Sequence, residues 1–381
     1  MKLETYLYTN GQWNKKLDSN LDSENTLVII LASSDVKILE KPLSDITLNY
    51  PTATIIGAST SGEIFQNEIF DDSLSVAVMK FEKTKLKHNL CQVISPETSY
   101  SDGVNIAREL KQENNLKGVF ILSEGLNVNG SQLTEGISSV INSNIPITGG
   151  LAGDGDRFEN TWIISNGRPQ TNHICAVGFY GNAIHIESSS KGGWDSIGLH
   201  RVVTKSKNNV LYELDGKPAL DIYKKYLGEK ASELPASGLL FPLELKETVD
   251  SSESKIRTIL GVNENDSSIT FAGDLPEGSV VTLMKANFNR LINGAGEAAE
   301  ELNLDSYKGG DILSIAISCV GRRLVLKSKT EEELDAVLDV LPPNTKQIGF
   351  YSYGEISPLA SGKCDLHNQT MTLTLIWEDD A

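Results

Sequence analysis

The sequence predicts an α/β protein built from repeated β-rich units, its mixed or largely antiparallel sheets covered by helices, with an internal duplication. Three observations predict this class. Apolar runs of strand length outnumber helical stretches, one element order is written three times, and each copy turns at a small-residue, Gly-rich corner. The copies begin at LVIIL (27–31), GVFIL (118–122) and ILSIAI (312–317). Each continues through a polar turn, a stretch able to hold a helix, a second strand, the corner and a third strand. The corners read IIGASTSGEI (55–64), ITGGLAGDG (147–155) and IGFYSYGEI (348–356), and the closing strands span 74–79, 173–179 and 370–377.

The remaining elements follow in chain order. An edge strand over 3–8 leads into an Asn/Asp/Ser-rich turn. After Ser101, a helix over 102–111 sets Val104, Ala107 and Leu110 on one face, and a second over 131–142 gathers Leu133, Ile137, Val140 and Ile141. From Val202 the pattern changes to alternating strands and then a helix over 217–227, with Pro218 near its first turn. Strands are expected at 239–245, 256–262, 268–271 and 279–286, with DLPEG (274–278) reversing the chain between the last two. A helix over 290–302 is interrupted by Gly294 and Gly296. The clearest helix covers 331–340: Thr330 caps it, Glu333 reaches back to the cap, and Leu334, Val337 and Leu338 form the buried stripe. The polar segment SSSKGGWDS (188–196) places a boundary near residue 200, dividing the chain into 1–200 and 201–381.

Composition narrows the function. Lys and Arg total 34 against 51 Asp and Glu, a formal charge of −17 over 381 residues, and no basic run offsets it, so nucleic acid is not an expected partner. No stretch approaches the roughly 20 apolar residues of a membrane span, so no membrane insertion is expected. The N-terminus turns polar at once and lacks a signal-peptide core, so the expected location is cytoplasmic. Cys91, Cys175, Cys319 and Cys364 show neither CxxC nor metal-ligand spacing and are expected to be free thiols, with pairing left open.

The corners hold the candidate chemistry. They lead into strands rather than helices, so no helix N-terminus is set for a pyrophosphate, which argues against a dinucleotide fold. Gly57 and Gly62 in the first match Gly349 and Gly354 in the third, and each second glycine precedes an acid, Glu63 or Glu355. That acid is read either as a turn residue with a local partner or as part of a site. In the third copy, Tyr351 and Tyr353 stand beside Glu355, Asn368 precedes the last strand, and Cys319 and Arg322 end the strand before. These six residues (Cys319, Arg322, Tyr351, Tyr353, Glu355 and Asn368) are the candidate ligand pocket, with a guanidinium placed to grip a carboxylate in two-pronged fashion. The bland alternative sets Arg322 and Arg323 against Glu331, Glu332 and Glu333. An enzyme would use Cys319 as nucleophile and Glu355 as base, although no motif sets a histidine beside either.

The combination of IIGASTSGEI, GVFILSEG, ITGGLAGDG, the stretch from Arg201 to Gly228, SCVGRR, IGFYSYGEISPL and HNQTMTLTLIW resembles the FIST-domain family over nearly the whole chain. The resemblance implies an N-terminal and a C-terminal FIST domain and a sensory module for small ligands such as amino acids. With no room for an output domain, it implies a stand-alone sensor that signals through a separate protein such as a histidine kinase. Some members are haem-binding nitric oxide sensors. The five histidines here form no pair at ligand spacing, so no cofactor is expected, and His185 and His200 are the positions favoured if haem is bound.

Overall fold

The computed structural model describes residues 1–379 and contains three units of one plan. Each has four principal strands. In the first they are Lys2–Thr9, Thr26–Ser33, Thr54–Thr60 and Leu74–Lys80; in the second, Lys85–Gln92, Leu116–Ser123, Ile147–Leu151 and His173–Tyr180; in the third, Ile184–Lys191, Ile312–Cys319, Thr345–Ser352 and Met371–Glu378. In every unit the second and third strands are parallel, and the closing strand lies antiparallel between the second strand and the first. The helix-containing crossover that a parallel pair requires is supplied by Glu40–Asn49, Gly130–Ser138 and the pair Val320–Leu326 and Thr330–Leu338.

Between its third and closing strands each unit sends out a hairpin that joins another unit's sheet. The first unit's Glu63–Phe65 pairs with the third unit's Thr345–Ser352. The third unit's Gly354–Pro358 pairs with the second unit's Ile147–Leu151, and the second unit's Ile163–Ser165 pairs with the first unit's Thr54–Thr60. This cyclic exchange explains the first glycine of every corner. Gly57, Gly149 and Gly349 each stand opposite an isoleucine of the incoming hairpin, and a Cβ at any of them would collide with the carbonyl of the parallel strand alongside.

The three sheets turn their inner faces to one another. Ile29, Leu31, Phe120, Leu122, Ile315, Ile317 and Phe350 meet in one shared core. The outer faces are covered by helices through Leu43 and Ile46, through Ile106, Leu110, Leu133 and Ile137, and through Ala295, Ala299, Leu334 and Val337. Burial on both faces is why the opening strands read as unbroken apolar runs rather than alternating ones.

A further sheet is inserted after Ile184–Lys191, and the chain returns to the third unit at helix Phe288–Glu300. Its main path runs through Lys255–Arg257, Leu243–Lys246, Val280–Lys285, Arg201–Lys207, Val210–Leu214, Ser268–Phe271 and Ile259–Asn263. Helix Ala219–Leu227 packs on it through Leu220 and Tyr223. Residue 200, where the chain is proposed to divide, stands at the start of this sheet.

Several local expectations are corrected. The helix expected over 131–142 is Gly130–Ser138, capped by the Asn129 side chain, and the one expected over 290–302 begins at Phe288 with Asn287 as cap. The strand expected at 239–245 is split into the 3-10 turn Ala236–Leu240 and strand Leu243–Lys246. Thr330 is the first residue of its helix rather than the cap, its hydroxyl donating to the carbonyls of Lys327 and Arg323. Glu333 does not reach back to a cap; it is fully buried and serves as the counter-charge of Arg322.

Candidate functional site

The corners gather at one pole of the core, where a ring of backbone bonds joins them. Ser61 N–H donates to Tyr351 O at 2.8 Å, Tyr353 N–H to Leu151 O at 3.3 Å, and Gly153 N–H to Ser59 O at 3.0 Å, so each unit holds the next. Within this ring the recurring acid has the same job twice. Glu63 accepts from the Thr60 hydroxyl and from Ser73 N–H and hydroxyl at 3.1 and 2.7 Å. Glu355 accepts from the Ser352 hydroxyl at 2.7 Å and from Thr370 N–H and hydroxyl at 3.2 and 3.0 Å. Each carboxyl thus ties the end of the third strand to the start of the closing strand, clamping the corner while its hairpin leaves for another sheet. Burial pushes Glu63 up to about 7 and Glu355 up to about 8, against the hydrogen bonds that favour their ionised forms.

The six sequence-derived residues fall into three settings. Arg322 and Tyr351 surround Glu333. Arg322 Nε and Nη2 donate to Glu333 Oε2 at 3.1 and 2.7 Å, Nη2 also to Leu291 O at 2.8 Å, and Nη1 to Gly192 O at 2.5 Å and Gln369 O at 3.4 Å. These bonds use all five guanidinium donors, so Arg322 holds Glu333 instead of keeping a fork free for a ligand carboxylate. The Tyr351 hydroxyl donates to Glu333 Oε1 at 2.9 Å, as does that of Ser318 at 3.0 Å. Cys319, Glu355 and Asn368 lie in the interior beside this group. Burial pushes the Cys319 thiol up, which disfavours the thiolate a nucleophile needs.

Tyr353 turns away from the other five. Its hydroxyl donates to Asp154 of the second corner and to Gly155 O at 3.1 Å, and its ring stacks on Phe158 at 4.4 Å. Asp154 also accepts the N–H groups of Phe158, Glu159 and Asn160 at 2.9–3.0 Å. Burial opposes its charge, but these donors outweigh burial and hold the carboxyl below its usual range. The second corner therefore carries a loop organised by an aspartate where the other two carry the glutamate clamp.

A cleft of about 1050 Å³ lies between the core and the inserted sheet. Its walls come from helix Gly130–Ser138, the segments around Lys246–Lys255 and Asp274–Ser279, and the tip of the third unit's hairpin at 359–365. Arg257, only 1% exposed, lines it. Its Nε donates to Asp274 O at 3.0 Å and its Nη1 to Leu366 O and Ile256 O at 3.1 and 3.3 Å, while Nη2 has no acceptor among the described residues. Lys255 pairs with Asp365, and Lys363 is exposed at the rim. The sequence reading missed this cleft. Its signal was Arg257, set between Ile256 and the pair Ile259 and Leu260, a residue that core packing alone does not call for.

His185 stacks on Trp377 at 5.0 Å and meets Asp379 at 3.0 Å, while His200 is exposed with Nδ1 2.8 Å from the Thr282 hydroxyl. Neither setting supplies the apolar axial pocket that haem needs. All four cysteines are free thiols, and no cluster of His, Cys, Asp and Glu suited to a metal occurs among the described residues. Among the same residues no helix is long and apolar enough to cross a membrane.

The chain is 24% identical to an uncharacterized protein of Methanocaldococcus jannaschii, covering 96% of this chain and 75% of that one. A crystal structure of cyanuric acid hydrolase from A. caulinodans aligns at 12% identity and a TM-score of 0.17, over 78% of this chain and all of that one, a likeness that bears on neither fold nor function. The FIST N domain matches residues 26–217 and the FIST C domain residues 219–358. On these two matches the chain belongs to the FIST family, whose domains are implicated in small-molecule sensing and signal transduction.

Proposed function

We propose that this protein is a sensor for a small carboxylate such as an amino acid, that the ligand sits in the cleft between the core and the inserted sheet, and that the signal passes to a separate protein such as a histidine kinase. The observation that carries the reading is Arg257: a buried guanidinium lining a roomy cleft, with one amino group lacking a protein acceptor. A carboxylate satisfies that group, with the exposed Lys363 adding positive charge at the rim, and the acids that also line the cleft, among them Glu247, Asp274 and Glu277, offer acceptors to an ammonium. The walls belong to two differently built sheets, so an occupant bridges them and favours one relative arrangement, which is what a sensor needs.

Calorimetric titration of the full chain with glycine, L-glutamate and acetate tests this reading. Saturable binding without consumption of the ligand is expected, weakened about tenfold or more in Lys363→Glu. Tyr353→Phe and Glu355→Gln should bind as the parent does. No saturable binding of any of the three, or loss of binding in Tyr353→Phe and Glu355→Gln with Lys363→Glu unaffected, overturns the cleft as the site. Consumption of the ligand would mark an enzyme.

A further inference from the structure

Each exchanged hairpin packs its inner face on the closing strand of the unit it came from, so the molecule contains three interfaces of one kind. In the first unit the inward positions of the closing strand are Ser75, Ala77 and Met79, and in the second Cys175, Val177 and Phe179. In the third they are Thr372, Thr374 and Ile376. The hairpin facing them is polar as well. Ser357 stands opposite Asp365 and Glu355 opposite His367. Thr148 of the second unit precedes Gly149, which pairs with Ile356, the residue before Ser357. The hydroxyls of Thr148, Ser357 and Thr374 are buried and have no hydrogen-bond partner among the described residues.

An unpartnered buried hydroxyl costs about 1–3 kcal/mol, and valine would fill the space of threonine at no such cost. Three of them at one interface, where the sister interfaces use Val177 and Ala77, mark a seam built for polar occupants. One end of the seam opens at Asp365, which lines the cleft. The other end is the clamp: Thr370 Oγ1 lies 3.0 Å from Glu355 and 3.4 Å from Thr372 Oγ1.

We propose that this seam is a hydrated path carrying protons between the cleft and Glu355, which makes Glu355 a proton-binding site coupled to what occupies the cleft. The coupling rests on the cleft being the ligand site; the path itself does not. In the transfer, a proton enters from water at the cleft mouth, each hydroxyl or water on the way accepts one and releases another, and the Glu355 carboxylate ends as a carboxylic acid. The net change is one proton taken up and no other bond altered. The groups facing Glu355 fit this role. His367 is opposite it, and burial lowers its affinity for a proton. Arg322 favours the carboxylate form but is already paired with Glu333, and Asp365 is held ionised by Lys255 and Arg257 against its burial. Cys319, with its thiol pushed up by burial, adds no charge. Burial of Glu355 itself prevails and raises it to about 8, so the acid form is held at neutral pH.

The test is carbon-13 NMR of the glutamate carboxyls in the full chain and in the near-isosteric variant Thr148→Val, Ser357→Ala, Thr374→Val. Glu355 in the parent should titrate in equilibrium with solvent and exchange its proton for deuterium without unfolding. In the triple variant that exchange should slow by roughly tenfold or more, while Glu63 is unaffected. Should the triple variant fail to fold, Thr374→Val alone is read in the same way, and its melting temperature should fall because a hydrated hydroxyl has been lost. Unchanged Glu355 exchange in the folded variant, or a higher melting temperature for Thr374→Val, overturns the path. Acetate then serves as the cleft probe. If it binds and shifts the Glu355 titration, the coupling holds; if it binds without shifting it, the coupling fails. Absence of acetate binding counts against the cleft reading, and the exchange comparison still decides the path.

Discussion

The first and third corners end in the same carboxylate clamp, whereas the second replaces it with an aspartate-centred loop. Thr60, Glu63 and Ser73 correspond one for one to Ser352, Glu355 and Thr370. Repetition of Gly-Glu-Ile therefore records architecture, because every hairpin that leaves its own sheet needs its corner fastened. The second corner is fastened instead by Asp154, which collects three backbone N–H groups and the hydroxyl of Tyr353 from another unit. A motif that recurs across copies points to what holds the copies together, and the departures from it point to where they differ in use.

The largest effect expected from breaking this comparison is at the buried Arg322–Glu333 pair of the third unit. Glu333→Ala leaves a guanidinium uncompensated in the interior and should cost about 3–5 kcal/mol in urea unfolding. A loss under about 1 kcal/mol would mean that Arg322 is not held as described. Next is the link between the second and third corners. Tyr353→Phe keeps the ring on Phe158 but removes the hydroxyl from a charged acceptor, and should cost about 1.5–3 kcal/mol by thermal or chemical unfolding. The smallest belongs to the first corner, where Arg323 pairs with the exposed Asp71 at 2.7 Å. Asp71→Ala should stay within about 1 kcal/mol of the parent, since exposed pairs contribute little. An effect there as large as that of Glu333→Ala would erase the contrast between the pairs.

Much of the fold was legible because strand length, corner and closing strand recur in one order, and LVIIL, GVFIL and ILSIAI admit few other readings. The exchange of hairpins was not, since pairing between Ile64 and Gly349 spans most of the chain and leaves no local periodicity. Arg322 was read either as a ligand grip or as a charge balance for Glu331, Glu332 and Glu333, and the structure takes the second reading at Glu333, eleven residues on, whose inward turn the sequence does not show. Tyr353 was grouped with Tyr351 by proximity along the chain, yet the two face different partners, Asp154 and Glu333. The cleft escaped notice because its walls come from four separate segments, and only Arg257, set between Ile256 and Ile259, betrays it.

The central claim is that Glu63 and Glu355 are buried structural clamps rather than ligand-facing carboxylates, and the pH dependence of stability tests it most directly. Their folded-state values, about 7 and about 8, lie above the ordinary 4.5 of an unfolded glutamate. As pH rises past about 4.5 the unfolded chain releases these protons while the folded chain keeps them, so the folded state binds more protons and their contribution to stability falls with rising pH. It falls through about 7 for Glu63 and about 8 for Glu355, and levels off beyond. Urea unfolding of the parent and of the double variant Glu63→Gln, Glu355→Gln should be compared between about pH 5 and pH 8.5. The account predicts that the parent loses stability across this range relative to the double variant, whose amides carry no titrating proton. Parallel profiles for the two proteins would show that neither carboxyl is held in its acid form by burial, and would contradict the account.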